Sequence, residues 1–214
     1  MANSPLNISS LQEQLQSLAR REGISRWDLG ASRGNSTSVQ VDRGQAKQLN
    51  AAQRSSITIR VWNQQGLVGI TSTSDLSDSG LEKALMGAHQ ASSFGNPDDV
   101  PGFSPLASAP QPDLHRPLQD AQGIQTLLNQ LLDAEKQLLG RHPAIGTIPY
   151  NSLNEGSSER IYLNSEGALR QAQRTQASII LMARAEEDGR KPRSGGAVRV
   201  ALGSRDLDLA GCID

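Results

Sequence analysis

The stretch that decides the fold is Ser55–Gly95, which reads SSITIRVWNQQGLVGITSTSDLSDSGLEKALMGAHQASSFG. Apolar residues alternate with polar ones through Ile57–Val61, which is the period-two pattern of a half-buried strand. A polar turn ends at Gly66, and the pattern predicts a second strand over Leu67–Thr73. The first half of the stretch therefore predicts two strands joined by a turn.

After the second strand, the pattern changes to the three- and four-residue spacing of a helix. Ser79 followed by Glu82 fits a capping box at its start, and Asp75 and Ser77 are alternative caps. The stretch as a whole predicts a strand–turn–strand–helix unit. The apolar stripe of its helix consists of Leu81, Ala84, Leu85, Ala88 and Ala91.

Further elements are predicted on the N-terminal side of this unit. We expect a helix over Ser9–Glu22, where leucines recur at helical spacing. Two short strands are predicted over Trp27–Arg33 and Thr37–Arg43. The polar stretch Gly44–Arg54 fits either a turn or a frayed continuation of a strand.

On the C-terminal side, a helix is predicted over Leu118–Leu139, and Gly140 is its expected end. Because Ala168–Glu187 is too long for one ordinary strand, we expect a bend or bulge in it. The predicted strands of this half are Ala144–Leu153, Ser158–Asn164, Ala168–Glu187 and Val198–Leu202.

Proline marks the connection Asn96–Leu118, where few large apolar residues occur. This composition predicts an irregular, extended loop that is either a functional lid or a simple excursion, and we favour the excursion. The elements together predict an α+β fold, with a mostly antiparallel sheet, two long helices packed on one face and this Pro-rich loop between them. One domain is expected over residues 1–204, with the loop at 96–118 inside it. Residues 205–214 resemble the opening of a truncated following segment.

Composition restricts the class of protein. Lys and Arg number 21 against 22 Asp and Glu, so the net charge of −1 gives no electrostatic reason to expect nucleic acid. The single cysteine, Cys212, excludes an internal disulfide and fits a reducing compartment. The sequence shows neither a secretion signal nor an apolar run near the roughly 20 residues that span a bilayer. We therefore expect a cytoplasmic protein with no membrane partner.

Three segments resemble one known family. Ile57–Val61 followed by Gly66–Thr73 is similar to its strand ending in Arg-Val, glycine turn and Gly-hydrophobic-small-Ser-Thr run. Asp75 then leads into an alanine-bearing helix, and Tyr162–Gly167 is similar to its Asn-Ser-x-Gly turn. In order and approximate spacing these segments resemble the N-terminal domain of the TldD/PmbA family, over nearly the whole chain.

The resemblance implies a cytoplasmic metallopeptidase subunit that processes or degrades peptides. It implies a homo- or hetero-dimer of such subunits, in which one type bears metal and another is metal-free. The family also carries an older label as modulators of DNA gyrase. In its catalytic type, a helical His-Glu-x-x-x-His motif binds zinc downstream of the part resembled here, and another ligand lies near the far C-terminus. Zinc is therefore expected only in a catalytic partner or in a C-terminal region missing from this chain.

The three histidines do not form such a motif. None of His89, His115 and His142 precedes a glutamate, and no two lie within one helical turn. We expect His89 to be a partly buried packing residue, His115 to be solvated in the Pro-rich loop and His142 to favour the C-terminus of the preceding helix. No catalytic or metal-binding residue is predicted, and the substrate-binding residues stay unknown.

Other reactive or charged residues have structural interpretations. Cys212 is interpreted as a packing thiol, because nothing near it in sequence supplies a base. Trp27 and Trp62 are interpreted as core residues. A basic cluster is interpreted as a solvated hairpin tip, because three acidic residues interrupt it; its members are Arg184, Arg190, Lys191, Arg193 and Arg199.

The sequence thus predicts the non-catalytic N-terminal domain of a TldD/PmbA-type metallopeptidase subunit, inactive alone, that helps to form a dimer and a chamber for unfolded peptide. One physical route is strand addition, in which an extended peptide pairs with an exposed sheet edge. The alternative is a metal-free partner or a stand-alone protein-interaction module without enzymatic activity. A third hypothesis, DNA or gyrase binding, is disfavoured by the near-neutral charge.

Overall fold

A computed structural model describes residues 8–98, 100–110 and 118–214, with side chains from Ser10 onward. Six strands hydrogen-bond in the order β3-β2-β1-β4-β5-β6, and both β2–β3 and β5–β6 are antiparallel. The strands are β1 Arg26–Asp42, β2 Gln45–Trp62, β3 Val68–Thr73, β4 Ile145–Asn164, β5 Leu169–Ala185 and β6 Arg193–Ala201. The helices are α1 Ile8–Arg21, α2 Asp78–Ala91, α3 Ile124–Leu139 and α4 Ala210–Ile213.

The predicted α+β class with a mostly antiparallel sheet is confirmed. The number of long helices differs from the prediction, since α1, α2 and α3 each have at least 14 residues in the described part of the chain. None of the helices among the described residues combines the length and apolarity that crossing a membrane requires.

Strands β1 and β4 are each continuous where the sequence predicts two shorter strands with a gap between them. Strand β1 continues through Gly34–Ser36, and β4 continues through Asn154–Ser157. Gly156 shows the physical reason: a Cβ there would lie 2.6 Å from the Asn35 carbonyl oxygen. This glycine permits close approach of two backbones rather than a reversal of the chain.

The prediction for Gly44–Arg54 is also resolved in favour of a strand. Arg43 has a φ of 51° and Gly44 a φ of 77°, so the chain reverses there in two left-handed residues, and β2 begins at Gln45. The Arg43 and Gly44 amides donate to the buried Glu135 carboxylate over 3.1 and 2.7 Å. A distant carboxylate therefore stabilises a turn that the local sequence only suggests.

Helix α2 has the ends that the sequence predicts, and α3 has one of its two predicted ends. Helix α2 is capped by Ser77, whose side chain accepts from the Gly80 amide over 3.2 Å, so one of the alternative caps is the one used. Helix α3 ends at Gly140 as predicted, but begins at Ile124 because Gly123 has a φ of 86°, which a helix does not accommodate.

The described residues form two compact units. Unit 1 comprises those of 1–34, 54–115 and 158–173, and unit 2 those of 35–53, 116–157 and 174–214. Four strands have residues in both units: β1, β2, β4 and β5. This division does not test the domain predicted over 1–204 or the following segment predicted at 205–214, and both stay predictions.

Each unit has its own apolar core. In unit 1, α1 and α2 pack on strand residues around Leu15, Trp27, Leu29, Ile57, Ile59, Leu81 and Leu85. In unit 2, α3 and the C-terminal residues pack around Leu127, Leu131, Leu153, Ile179, Leu181, Cys212 and Ile213. The register of β5 against β6 is unbroken from Ala177 to Ala185, so no bulge interrupts that pairing.

Candidate functional site

The candidate site is the side of the unit 1 strands that points away from the helical core. Successive strand residues point to opposite faces, so the burial of Leu29, Ile57 and Ile161 in the core places their neighbours on the other side. We call this side the polar face. Its residues are Asp28, Gly30, Ser32, Ser56, Thr58, Arg60, Arg160, Tyr162 and Arg170.

A buried carboxylate organises one end of the polar face. Asp28 is only 3% exposed, yet it accepts from Arg60 Nε over 2.9 Å and from Arg60 Nη2. The Tyr162 hydroxyl donates to Asp28 Oδ2 over 3.1 Å. The hydrogen bond to Asp28 raises the pKa of Arg60, so this cation stays charged. The pair therefore compensates the charge of a carboxylate that would otherwise be costly to bury.

The Pro-rich loop is attached to the polar face at residues 100–110, which we call the strap. Trp62 Nε1 donates to the Pro101 carbonyl over 3.0 Å, and the Trp62 and Phe103 rings meet edge-to-face at 4.9 Å. Arg170 Nη2 donates to the carbonyls of Leu106 and Ala109. This part of the loop is thus fixed at two places, and its one regular piece is a 3-10 turn over Pro105–Ala107.

A groove of about 430 Å³ lies on the polar face. Hydroxyl groups form part of its lining: Ser32 Oγ and Ser56 Oγ are 2.9 Å apart, and Thr58 Oγ1 lies 2.9 Å from Ser72 Oγ. Arg160, Tyr162 and Arg170 also line the groove. The arrangement offers hydrogen-bond donors and positive charge to a ligand.

Burial raises the pKa of Tyr162 above its ordinary value of 10.0, and the Asp28 charge and hydrogen bond add to the effect. The sequence has only one other tyrosine, Tyr150, so phenolate absorbance of the Tyr150→Phe variant reports Tyr162 alone. We expect its midpoint above pH 10.0, and a lower midpoint when Asp28→Asn is added. A raised folded-state pKa stabilises the protein below the unfolded pKa, and this stabilisation is lost as pH rises through the folded pKa.

Wild-type protein should therefore lose some stability in alkali that the Tyr162→Phe variant does not lose. Urea unfolding midpoints of the two proteins, measured at a series of alkaline pH values, give this difference. A Tyr162 midpoint at or below 10.0 would contradict the described network.

The two histidines that the structure describes, His89 and His142, belong to no metal site in the described part of the chain. His89 is half-buried on α2, and its Nδ1 has no hydrogen-bond partner in the described part of the chain. His142 Nδ1 accepts from the Ala144 amide over 3.1 Å, and His115 lies outside the described residues. Across residues 8–98, 100–110 and 118–214, no three His, Cys, Asp or Glu side chains are placed to hold a metal ion. These residues do not fit a zinc site.

Cys212 and Trp27 occupy the structural positions predicted for them, whereas Trp62 belongs to neither apolar core. Cys212 is 6% exposed in the core of unit 2, and its Sγ contacts the Ala197 carbonyl over 3.5 Å. Burial raises the pKa of the Cys212 thiol, which disfavours the nucleophilic thiolate. Trp27 and Trp62 are each 3% exposed, but Trp27 is part of the unit 1 core, whereas Trp62 packs against Phe103 of the strap.

Acidic partners neutralise much of the basic cluster in unit 2. Arg184 pairs with Glu186 over 2.6 Å, and Arg190 with Glu187 over 2.9 Å. Arg199 lies 3.6 Å from an Asp208 oxygen. The interpretation as a hairpin tip fits the members at or beside the β5–β6 turn, but Arg199 lies further along β6, opposite Ile179.

Sequence reasoning did not find the residues of the polar face. Asp28, Arg60 and Tyr162 are far apart along the chain, and each resembles an ordinary polar residue of an alternating strand. The one signal in the sequence is that each of these polar residues alternates with apolar residues in a predicted strand and so points away from the core. Without strand order and register, that signal does not bring them together.

The chain matches two models of one family. Residues 27–91 match PmbA/TldA metallopeptidase domain 1, and residues 117–213 match the PmbA/TldA metallopeptidase central domain. No curated protein sequence matches the chain.

Three solved structures have a similar fold. A candidate modulator of a DNA gyrase from Thermotoga maritima shares 16% identity at a TM-score of 0.76, covering 97% of this chain and 46% of that one. A candidate modulator of DNA gyrase from Bacteroides thetaiotaomicron shares 17% identity at a TM-score of 0.80, and the match covers 96% of this chain and 47% of that one. TldE from Thermococcus kodakarensis shares 15% identity at a TM-score of 0.73, and the match covers 94% of this chain and 45% of that one. This chain thus spans less than half the length of each.

Proposed function

The chain belongs to the PmbA/TldD metallopeptidase family, and on this premise we propose that it is a non-catalytic N-terminal part of a cytoplasmic peptidase subunit. The observation that carries the proposal is the match to a first and a central domain, in that order along the chain. Its role is to form a dimer with a subunit of the same family and to shape a chamber for unfolded peptide. Zinc chemistry would then belong to a catalytic partner or to a downstream region.

The edge strand β6 offers one route for holding peptide. It ends the strand order, so one side of its backbone has no strand neighbour in the described sheet. Val198 and Val200 are 56% and 63% exposed, whereas Arg199 contacts the Gly211 carbonyl and Asp208. Lysine or proline commonly protects such an edge, and Ser194–Ala201 contains neither. An extended peptide could therefore pair with this strand.

Lysine substitutions test this route without breaking the β5–β6 ladder. Val198→Lys and Val200→Lys should fold normally, yet lower peptide processing in a mixture with a metal-bearing family subunit. We expect about a tenfold loss, because two or more backbone hydrogen bonds worth about 1 kcal/mol each would be weakened. Chromatography of the cleaved peptide measures the rate. Leu49→Lys, at a 46% exposed strand position of unit 2, is the matched control.

Two outcomes would contradict the proposal in different ways. Wild-type processing by both lysine variants would exclude the β6 edge as the peptide route. Failure of the wild-type chain to associate with any metal-bearing subunit, or to change its activity, would favour the alternative of a stand-alone interaction module.

A further inference from the structure

The groove on the polar face has more hydrogen-bond donors than its own residues use. The Ser32–Ser56 and Thr58–Ser72 pairs each share one hydrogen bond, so each pair retains one hydroxyl hydrogen for a ligand. The Arg160 side chain is exposed, and its guanidinium makes no hydrogen bond or ion pair with any residue the structure describes.

The charge of the groove also favours a ligand that accepts hydrogen bonds. Arg160 and Arg170 contribute two positive charges, and no Asp or Glu is among the described residues that line it. The nearby carboxylate of Asp28 is buried and already paired with Arg60, so it does not compete for a cation in the groove. Local positive charge with spare donors is complementary to carboxylates, although the chain as a whole has a net charge of −1.

The floor allows a ligand to approach the backbone. A Cβ added at Gly30 would meet nothing within 4 Å, so there is open space above β1. The lining residues come from β2, β1, β4 and β5, which are consecutive in the strand order. Four strands at a spacing of about 4.8 Å span about 14 Å, which matches roughly four residues of extended peptide.

We propose that this groove binds the carboxylates of an acidic peptide in extended conformation, with Arg160 as the principal contact. The inference deepens the proposed function, on which it rests for the choice of a peptide as the ligand. The carboxylates could come from acidic side chains or from a peptide C-terminus, and the probes below separate these sources.

Fluorescence anisotropy on the full chain tests the proposal. The first probe is a labelled, C-terminally amidated peptide of about eight residues rich in glutamate, long enough to cross the groove. The second replaces every glutamate with glutamine, and the third gives the glutamine peptide a free C-terminus. We expect the glutamate peptide to bind more tightly than the amidated glutamine peptide, and more weakly as salt is raised. Tighter binding of the third probe than of the second would add the C-terminal carboxylate as a ligand.

Variants locate the binding. Arg160→Gln should weaken binding of the glutamate peptide about tenfold, as expected for loss of a charge-assisted contact. Ala172→Glu places a negative charge at another lining position and should weaken binding at least as much. Arg20→Gln removes an equal charge from exposed α1 of the same unit, and should leave binding unchanged. Circular dichroism and melting temperatures establish that each variant is folded.

Equal binding of the glutamate and amidated glutamine peptides would overturn the proposal, as would unchanged binding by Arg160→Gln or an equal loss in Arg20→Gln. Tighter, Arg160-dependent binding of a DNA duplex would replace the peptide by nucleic acid. Cleavage of an uncharged peptide in the mixture with a metal-bearing family subunit is measured separately. If that assay fails while Arg160-dependent peptide binding persists, the proposed function fails and the groove assignment stands.

Discussion

Replacing Gly69 with alanine should destabilise unit 1 by about 3 kcal/mol or more, the largest effect expected of a single methyl group in this chain. Gly69 is buried on β3, where a Cβ would overlap the Ala88 carbonyl oxygen and the Ser92 amide nitrogen and lie 2.8 Å from the Ala91 carbonyl carbon. All three atoms belong to the backbone at the end of α2, so no side-chain rotation relieves the clash. Urea unfolding, with hydrogen exchange of β3 and α2, measures the loss.

A second glycine in the same unit provides the control. Gly30→Ala adds the same methyl group to β1, where a Cβ meets nothing within 4 Å. Its stability should be unchanged or higher by up to about 1 kcal/mol, because alanine costs less backbone entropy on folding than glycine. If Gly69→Ala were as stable as Gly30→Ala, β3 could not pack on α2 as described.

The hairpin and helix around Gly69 were predictable because the signals there are local. Alternation in Ile57–Val61 and the polar turn before Gly66 fix two adjacent strands, and helical spacing fixes α2. The continuous β1 and β4 were not predictable in this way. At Gly34 and Gly156 the sequence predicts a gap between two short strands, and only the close approach of Gly156 to the Asn35 carbonyl reveals an extended chain.

The polar face shows the same limit for function. Asp28 is separated from Arg60 by 32 residues and from Tyr162 by 134, so no local motif joins them. A buried aspartate is unusual, but its burial becomes visible only after the strands that bring Arg60 and Tyr162 to it are paired. By contrast, the family was recognisable from its segments, because turn residues and small helix residues keep their spacing along the chain.

Loss of the Glu155 carboxylate should have a comparably large effect in unit 2. Glu155 is 7% exposed and accepts from the Gln122 and Gly123 amides over 3.1 and 3.0 Å and from Ser204 Oγ over 2.7 Å. Gly123 gives α3 no side-chain cap. The carboxylate of the distant strand β4 instead accepts from the two amides that lead into the helix and places negative charge near the helix N-terminus. Glu155→Ala should therefore cost about 3 kcal/mol, since a group with three hydrogen bonds is lost and their donors are left unsatisfied.

Glu155→Gln separates shape from charge in this prediction. The amide keeps one acceptor oxygen and nearly the same volume, so its cost should be only about 1 kcal/mol. Glu187→Ala removes an exposed carboxylate of the same unit, paired with Arg190 over 2.9 Å, and should change stability by no more than about 0.5 kcal/mol. The urea midpoint should thus be highest for Glu187→Ala, lower for Glu155→Gln and lowest for Glu155→Ala. Equal midpoints for the two alanine variants would mean that α3 begins without help from β4, because an exposed ion pair and a buried helix cap cannot otherwise contribute alike.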